Sequence, residues 1–275
     1  MNAMSAMNAC SLPSSRAHWS MIDLCGHPCE LYSPPRPLPG RAMIYLHGVR
    51  ERTLLESTGL RDAIEAAGLP AIAPRTGRSW WLDRIMPAFD HDRTPERFVV
   101  EQVRAEVDRR FGVQPPGIAM VGISMGGQGA LRISYRHPTI FPVAAAIAPA
   151  IDFHLAMRES DDRDDGDCYD TLWETYGDVE RARQDTAILH VHPLNWPRHQ
   201  CIASDPSDFY WHDGAARLDS KLRALGIPHT SLFEPRGPYT AGPHGGHGPE
   251  YYDRVAPDVI RFVLDALDQE SRRMA

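Results

Sequence analysis

The sequence predicts an α/β fold, a mostly parallel central sheet with helices on both faces. Three observations carry this expectation. Strand-like and helix-like segments alternate along most of the 275 residues. Short apolar runs such as Ala42 to Leu46 and Ile118 to Val121 are continuous rather than alternating, as in strands buried on both faces. One of them runs straight into Val121-Gly122-Ile123-Ser124-Met125-Gly126-Gly127, a Gly-x-Ser-x-Gly between a strand and a helix.

In chain order, Met1 to Ser15 reads as a disordered tail, without the basic start and apolar core of a secretory signal. His18 to Leu24 and Pro28 to Tyr32 read as an antiparallel hairpin, followed by a stiff linker, Ser33 to Pro39. The strand Ala42 to Leu46 ends in His47-Gly48. Helical spacing follows over Leu54 to Ala67, with Gly68 as the stop signal, and Ala71 to Ala73 is a short strand. A loop carrying Arg75, Trp80 and Trp81 leads to a helix from Thr94 to Phe111, where Thr94-Pro95 supplies the cap and first-turn proline. After the Ser124 strand come a helix, Gly127 to His137, and a strand, Val143 to Ala148. Residues 152–197 are polar and aromatic, with short helices around Tyr169 to Tyr176 and Val179 to Asp185, and read as a small lid-like insertion. The closing pattern is strand Gln200 to Ala203, helix Gly214 to Leu225, strand Thr230 to Phe233 and helix Ala256 to Leu267, with Asp213 expected to cap the penultimate helix. The reading is one domain over residues 16–275.

Composition bounds the function. The chain is 43% apolar and 24% charged with a net charge of -7, which suits a globular protein and argues against a nucleic-acid partner. No apolar stretch reaches the roughly 18 residues that span a membrane. Five cysteines at 10, 25, 29, 168 and 201 form no disulfide pattern and fit a cytoplasmic location. Cys25-Gly26-His27-Pro28-Cys29 matches no common zinc spacing, and its Gly-His-Pro reads as a turn. The run Asp161, Asp162, Asp164, Asp165, Asp167 lacks the spacing of a calcium loop and reads as a solvated loop. No metal and no cofactor are expected. A homodimer is compatible with the chain.

The serine at 124 needs a histidine to take its proton and a carboxylate to hold that histidine. In α/β-hydrolases these follow in the order Ser, acid, His. His247, in Gly245-Gly246-His247-Gly248 between the last strand and last helix, has the position of the base, with His244 as its competitor. Ser204-Asp205-Pro206-Ser207-Asp208 lies just past the strand Gln200 to Ala203. Asp208 is the chosen acid and Asp205 the turn-capping residue, as Asp-Pro often is. Oxyanion donors are expected at the backbone N–H groups of Met125 and Val49. His47 is expected to pack and hydrogen-bond beneath the first loop. Trp80, Trp81, Tyr169, Trp173 and Trp211 are candidates for the substrate pocket.

These segments resemble the esterase D-like esterases, a family that includes S-formylglutathione hydrolases, feruloyl esterases and mycolyltransferases. The resemblance rests on Gly122-Ile-Ser-Met-Gly-Gly-Gln-Gly-Ala-Leu-Arg with Arg136-His-Pro and Phe141, on Tyr45-Leu-His-Gly, on Arg78-Ser-Trp-Trp-Leu-Asp83, and on Gly245-Gly-His-Gly-Pro-Glu-Tyr-Tyr. It covers roughly residues 40 to 267 and implies an α/β-hydrolase fold with Ser124, Asp208 and His247 as triad. The family often has glycine where Asp205 stands, and the contacts expected of a glutathione-thioester site are not recognisable. The implied function is a serine carboxylic-ester hydrolase acting on a small-molecule ester through an acyl-enzyme. A short-peptide peptidase, an acyltransferase or thioesterase of the same fold, and a catalytically silent ligand-binding protein are the alternatives.

Overall fold

In a computed structural model, which describes residues 18–160, 166–240 and 245–274, eight strands form one sheet. Strands β1 (His18–Leu24) and β2 (His27–Ser33) make the expected antiparallel hairpin. Its turn is Cys25-Gly26, both at positive φ (56° and 87°), so His27 already belongs to the second strand. Next come β3 (Ala42–Leu46), α1 (Thr58–Ala67) and β4 (Ala71–Pro74). Helix α2 (Pro95–Arg97) starts on the Thr94 cap, whose hydroxyl accepts from the N–H of Arg97. It continues through a π-helical stretch, Phe98–Val103, into α3 (Arg104–Phe111). Strand β5 (Ile118–Ile123), α4 (Met125–Arg136) and β6 (Val143–Ile147) form the centre. In the 152–197 segment lie α5 (Phe153–Arg158), α6 (Asp170–Tyr176) and α7 (Val179–Arg183). The chain closes with β7 (His199–Ala203), α8 (His212–Ala224), β8 (Thr230–Leu232) and α9 (Pro249–Met274).

The strand order is β1-β2-β4-β3-β5-β6-β7-β8, antiparallel at β1, β2 and β4 and parallel from β4 through to β8. Residues of β3, β5 and β6 are buried throughout, which explains their unbroken apolar sequence. Alternate residues serve the two faces. Met43, Tyr45, Ala119, Val121, Val143 and Ala145 pack with α1 and α9. Ile44, Ile118 and Met120 pack with the α3 and α4 side, and Ala144, Ala146 and Ile202 with α8.

Several expected boundaries move, among them the start of α1, at Thr58 instead of Leu54, and two of the shifts have a visible local cause. Helix α9 begins at Pro249, seven residues before the predicted Ala256, and carries Pro257 in its interior. Pro257 has no N–H for the carbonyl of Asp253, and this is where α1 comes closest. A Cβ on Gly59 would lie 2.4 Å from that carbonyl oxygen, while the Gly59 N–H donates to the Asp253 carboxylate at 3.0 Å. The second shift is at α8, where Trp211 rather than Asp213 holds the cap position and Asp213 sits in the first turn. The reason is Asp208, whose Oδ1 takes the Trp211 N–H at 3.1 Å and starts the helix early. The N-terminal tail, Cys10, Asp161 to Asp165 and His244 lie outside the described residues. Asp167 reaches the guanidinium of Arg78 at 3.1 Å.

Candidate active site

Parallel strands β3, β5, β6 and β7 end at one edge of the sheet, where their following loops converge. At β5 the backbone turns within one residue. Ser124 has φ 55° and ψ −117°, a left-handed conformation that a non-glycine residue adopts only under constraint, and Met125 already begins α4. The constraint comes from both sides: the Ser124 N–H donates to the Ile147 carbonyl at 2.9 Å, and its carbonyl accepts from Gln128 and Ala150 at 3.0 and 3.1 Å. The flanking glycines are required by contact rather than flexibility. A Cβ on Gly122 would lie 2.0 Å from the oxygen of Gly126, and one on Gly126 would lie 2.0 Å from the oxygen of Leu46.

Three side chains form one hydrogen-bonded line. His247 Nδ1 stands 2.8 Å from Asp208 Oδ2, and His247 Nε2 stands 3.0 Å from Ser124 Oγ. A carboxylate only accepts, so Nδ1 carries the proton and Nε2 is free to accept from the serine hydroxyl. The Asp208 side chain is fully buried, and its other oxygen accepts the N–H groups of Tyr210 and Trp211 at 3.2 and 3.1 Å.

Asp205, three residues earlier, is used differently. Its Oδ1 accepts the N–H and hydroxyl of Ser207 at 2.8 and 2.7 Å, and its Oδ2 accepts the Arg236 N–H at 2.7 Å and the Tyr239 hydroxyl. Burial pushes this carboxyl up, and these four donors outweigh it and hold the carboxyl below its ordinary range. The histidine loop is then laid on the acid loop through its glycines. A Cβ on Gly246 would be 2.3 Å from that of Asp205, and one on Gly245 would be 2.8 Å from the Ser207 carbonyl.

The loop after β3 passes close to Ser124, since a Cβ on Gly48 would be 3.3 Å from the Cβ of Ser124. Val49 borders the same cavity as Ser124, and Met125 follows the serine as the first residue of α4. His47 has the packing role expected of it: Nδ1 meets the Gly48 carbonyl at 2.9 Å, Nε2 accepts the Thr76 N–H at 3.1 Å, and burial lowers its pKa.

A cavity of about 310 Å³ opens over the Ser124 hydroxyl, lined among others by Trp80, Tyr169, Trp211, Tyr210 and Tyr252. Two of the candidate tryptophans are not part of its wall. Trp81 is fully buried beneath the β3 loop, donating its indole N–H to the His47 carbonyl at 3.1 Å. A Cβ on Gly129 would come within 2.5 Å of it, so this glycine of α4 exists to seat the ring. Trp173 lies on α6, 38% exposed, with its N–H 3.3 Å from Ser160 Oγ. Sequence reading missed Tyr45, Arg50, Arg52 and Tyr252, all of which border the cavity. Tyr252 had a signal, because it sits five residues past His247 at the start of the last helix.

The family model "Putative esterase" matches residues 36–220. The chain belongs to this esterase family. An esterase of Mycobacterium tuberculosis H37Rv is 25% identical over 232 residues, covering 76% of the chain and 47% of that protein. An S-formylglutathione hydrolase of Rattus norvegicus is 24% identical over 154 residues, 48% of the chain and 55% of that protein. The chain thus spans about half the length of the curated relatives it matches. Among solved structures, the S-formylglutathione hydrolase of Agrobacterium tumefaciens superposes with TM-score 0.68 at 17% identity, over 91% of the chain and 94% of that structure. That likeness gives this esterase-family chain an α/β-hydrolase fold. No helix of the described residues is long and apolar enough to cross a membrane.

Proposed function

We propose that this chain is a serine carboxylic-ester hydrolase of small-molecule esters, working through an acyl-enzyme on Ser124. The observation that carries the reading is the continuous line from Asp208 through His247 to the Ser124 hydroxyl, at 2.8 and 3.0 Å. His247 Nε2 takes the hydroxyl proton as Oγ bonds to the ester carbonyl carbon. The resulting oxyanion is held by the N–H groups of Met125 and Val49. On collapse the bond from carbon to the leaving oxygen breaks, and His247 gives its proton to that oxygen. Water, deprotonated by the same nitrogen, then releases the acid and restores Ser124. Asp208 keeps the imidazole in the tautomer that lets Nε2 act as base and stabilises the imidazolium.

Membership of the esterase family supports ester over amide chemistry. None of Cys25, Cys29, Cys168 and Cys201 is in a disulfide, which suits a cytoplasmic setting. The test is direct. A fluorophosphonate should label Ser124 stoichiometrically, as read by peptide mass spectrometry, and 4-nitrophenyl esters should turn over faster than matched anilides. Folded protein that is not labelled would sink the proposal.

A further inference from the structure

The cavity over Ser124 is electrically one-sided. In a chain of net charge -7, none of the residues bordering it is an aspartate or glutamate, yet two are arginines, Arg50 and Arg52. Arg52 is committed: it donates to the Glu56 carbonyl through Nε and Nη2 at 3.2 and 2.6 Å and stands 3.7 Å from Asp253. Arg50 is exposed, and no carboxylate of the described residues pairs with it. Its neighbour Glu51 faces away, held at φ 53° and paired with Arg75 at 3.7 Å. A non-glycine residue at positive φ costs energy. Here it removes the one adjacent carboxylate that would neutralise Arg50.

Trp80 and Tyr169 give the cavity an apolar stretch of wall, their ring centroids 5.8 Å apart, with Phe153 against Trp80 at 5.3 Å. Tyr252, which borders the cavity with Arg50 and Arg52, stands edge-on to the His247 ring at 5.8 Å. Both arginines thus border the same cavity as His247, the group that returns a proton to the leaving oxygen.

Building on the ester-hydrolase reading, we propose that Arg50 is a specificity residue that recognises a carboxylate on the leaving alcohol, while the acyl chain lies against Trp80 and Tyr169. The planar guanidinium donates in pairs to a carboxylate. It sits two residues beyond Gly48 in the loop that approaches Ser124, and with no carboxylate partner among the described residues it is open to an anion carried on the substrate. The chemistry is ordinary acyl transfer, in which the alcohol leaves as its hydroxyl after protonation by His247 and keeps its carboxylate.

The test uses two nearly isosteric esters, the propionates of 4-hydroxybenzoate and of 4-hydroxybenzamide, with the full-length protein. Wild type should favour the carboxylate ester in kcat/KM by about tenfold or more, mostly through KM, and the preference should shrink between 0.05 and 0.5 M salt, as screening predicts. Arg50→Gln should bring the ratio of the two esters close to one, and Arg50→Lys should restore part of it. Circular dichroism and fluorophosphonate labelling of each variant confirm that the fold and Ser124 are intact. A wild-type ratio at or below one, a ratio unchanged by Arg50→Gln, or labelled Ser124 with no turnover of the carboxylate ester would overturn this inference and leave the hydrolase reading standing. Failure of Ser124 to label in folded wild type would overturn both.

Discussion

Two buried polar clusters are anchored on helix α4, one at Arg132 within it and one at Ser124 on its N-terminal end, and they are built to opposite ends. In the first, Arg132 is 1% exposed and its guanidinium meets Glu96, the Asp185 carboxylate and the Asp185 carbonyl. Tyr176 and His190 complete Asp185, and Arg136 and His137 complete Glu96. Burial pushes the Asp185 carboxyl up, and His190, Arg132 and Tyr176 together hold it far below the ordinary carboxylate range. In the second, Asp208, His247 and Ser124 hold a single hydrogen-bonded line whose last atom faces a cavity. Saturation on every side fixes a structure. A line with one open end is suited to pass a proton, because its last acceptor is free for a reacting group.

The contrast breaks most visibly at the open end. Ser124→Ala should lower kcat by about 10⁵-fold or more, since the triad acts as a unit. Its unfolding midpoint should stay within the range of a neutral change, because Ala keeps the Cβ that the turn already tolerates. A large loss of stability would mean that Ser124 is mainly a structural cap.

Next in size is the pair of aspartates in the loop after β7. Asp208→Asn removes the acceptor that fixes the His247 tautomer and should lower kcat by about 10⁴-fold. Asp205→Asn should act mainly on stability, by about 1–3 kcal/mol, because it weakens bonds to Ser207, Arg236 and Tyr239. Measured side by side in kinetics and urea unfolding, the two variants should fall in opposite quadrants. A larger kinetic loss in Asp205→Asn would reverse the assignment of the acid.

At the saturated cluster, Arg132→Met should destabilise by about 3–5 kcal/mol, since it strands Glu96 and Asp185 without their cation. The linear urea extrapolation measures this. Fluorophosphonate labelling of the surviving folded protein should remain stoichiometric, which separates this cluster from the Asp208–His247–Ser124 line.

Sequence carried the succession of strands and helices along the chain, the Ser124 turn and the two side chains at 208 and 247 that line up with it, because each depends on local chemistry: glycine where backbones touch, a cap before a helix, a histidine between the last strand and helix. The cavity wall was less legible. Four tryptophans were equal candidates, yet Trp81 is drawn under the β3 loop by the absence of a side chain at Gly129, and Trp173 faces outward on α6. Those outcomes depend on contacts far apart in the chain, as does the role of Arg132, 53 residues from Asp185. The early start of α9 was masked by Pro257, whose cost depends on what packs against Asp253.

The smallest effect expected is also the one that reads charge saturation through pH. Asp219 on α8 is mostly buried beside Arg223, Ser231 and His229, with bonds of 2.8 Å to Arg223 and 2.9 Å to His229. Burial raises its carboxyl, and these three partners outweigh burial and bring it down to about 2. An unfolded aspartate titrates near about 3.9, so the folded state holds this proton more weakly. The stability that Asp219 contributes is therefore complete above about pH 4 and is lost as pH falls toward 2. Asp219→Asn should be less stable than wild type at pH 7, and the two unfolding curves should converge between about pH 4 and pH 2. A gap that stays constant over that range would mean that the side chain acts by shape and not by charge. Because Asp219 does not border the cavity over Ser124, the same variant should keep kcat/KM within about twofold at pH 7, which makes it the control for the proposed acid at 208.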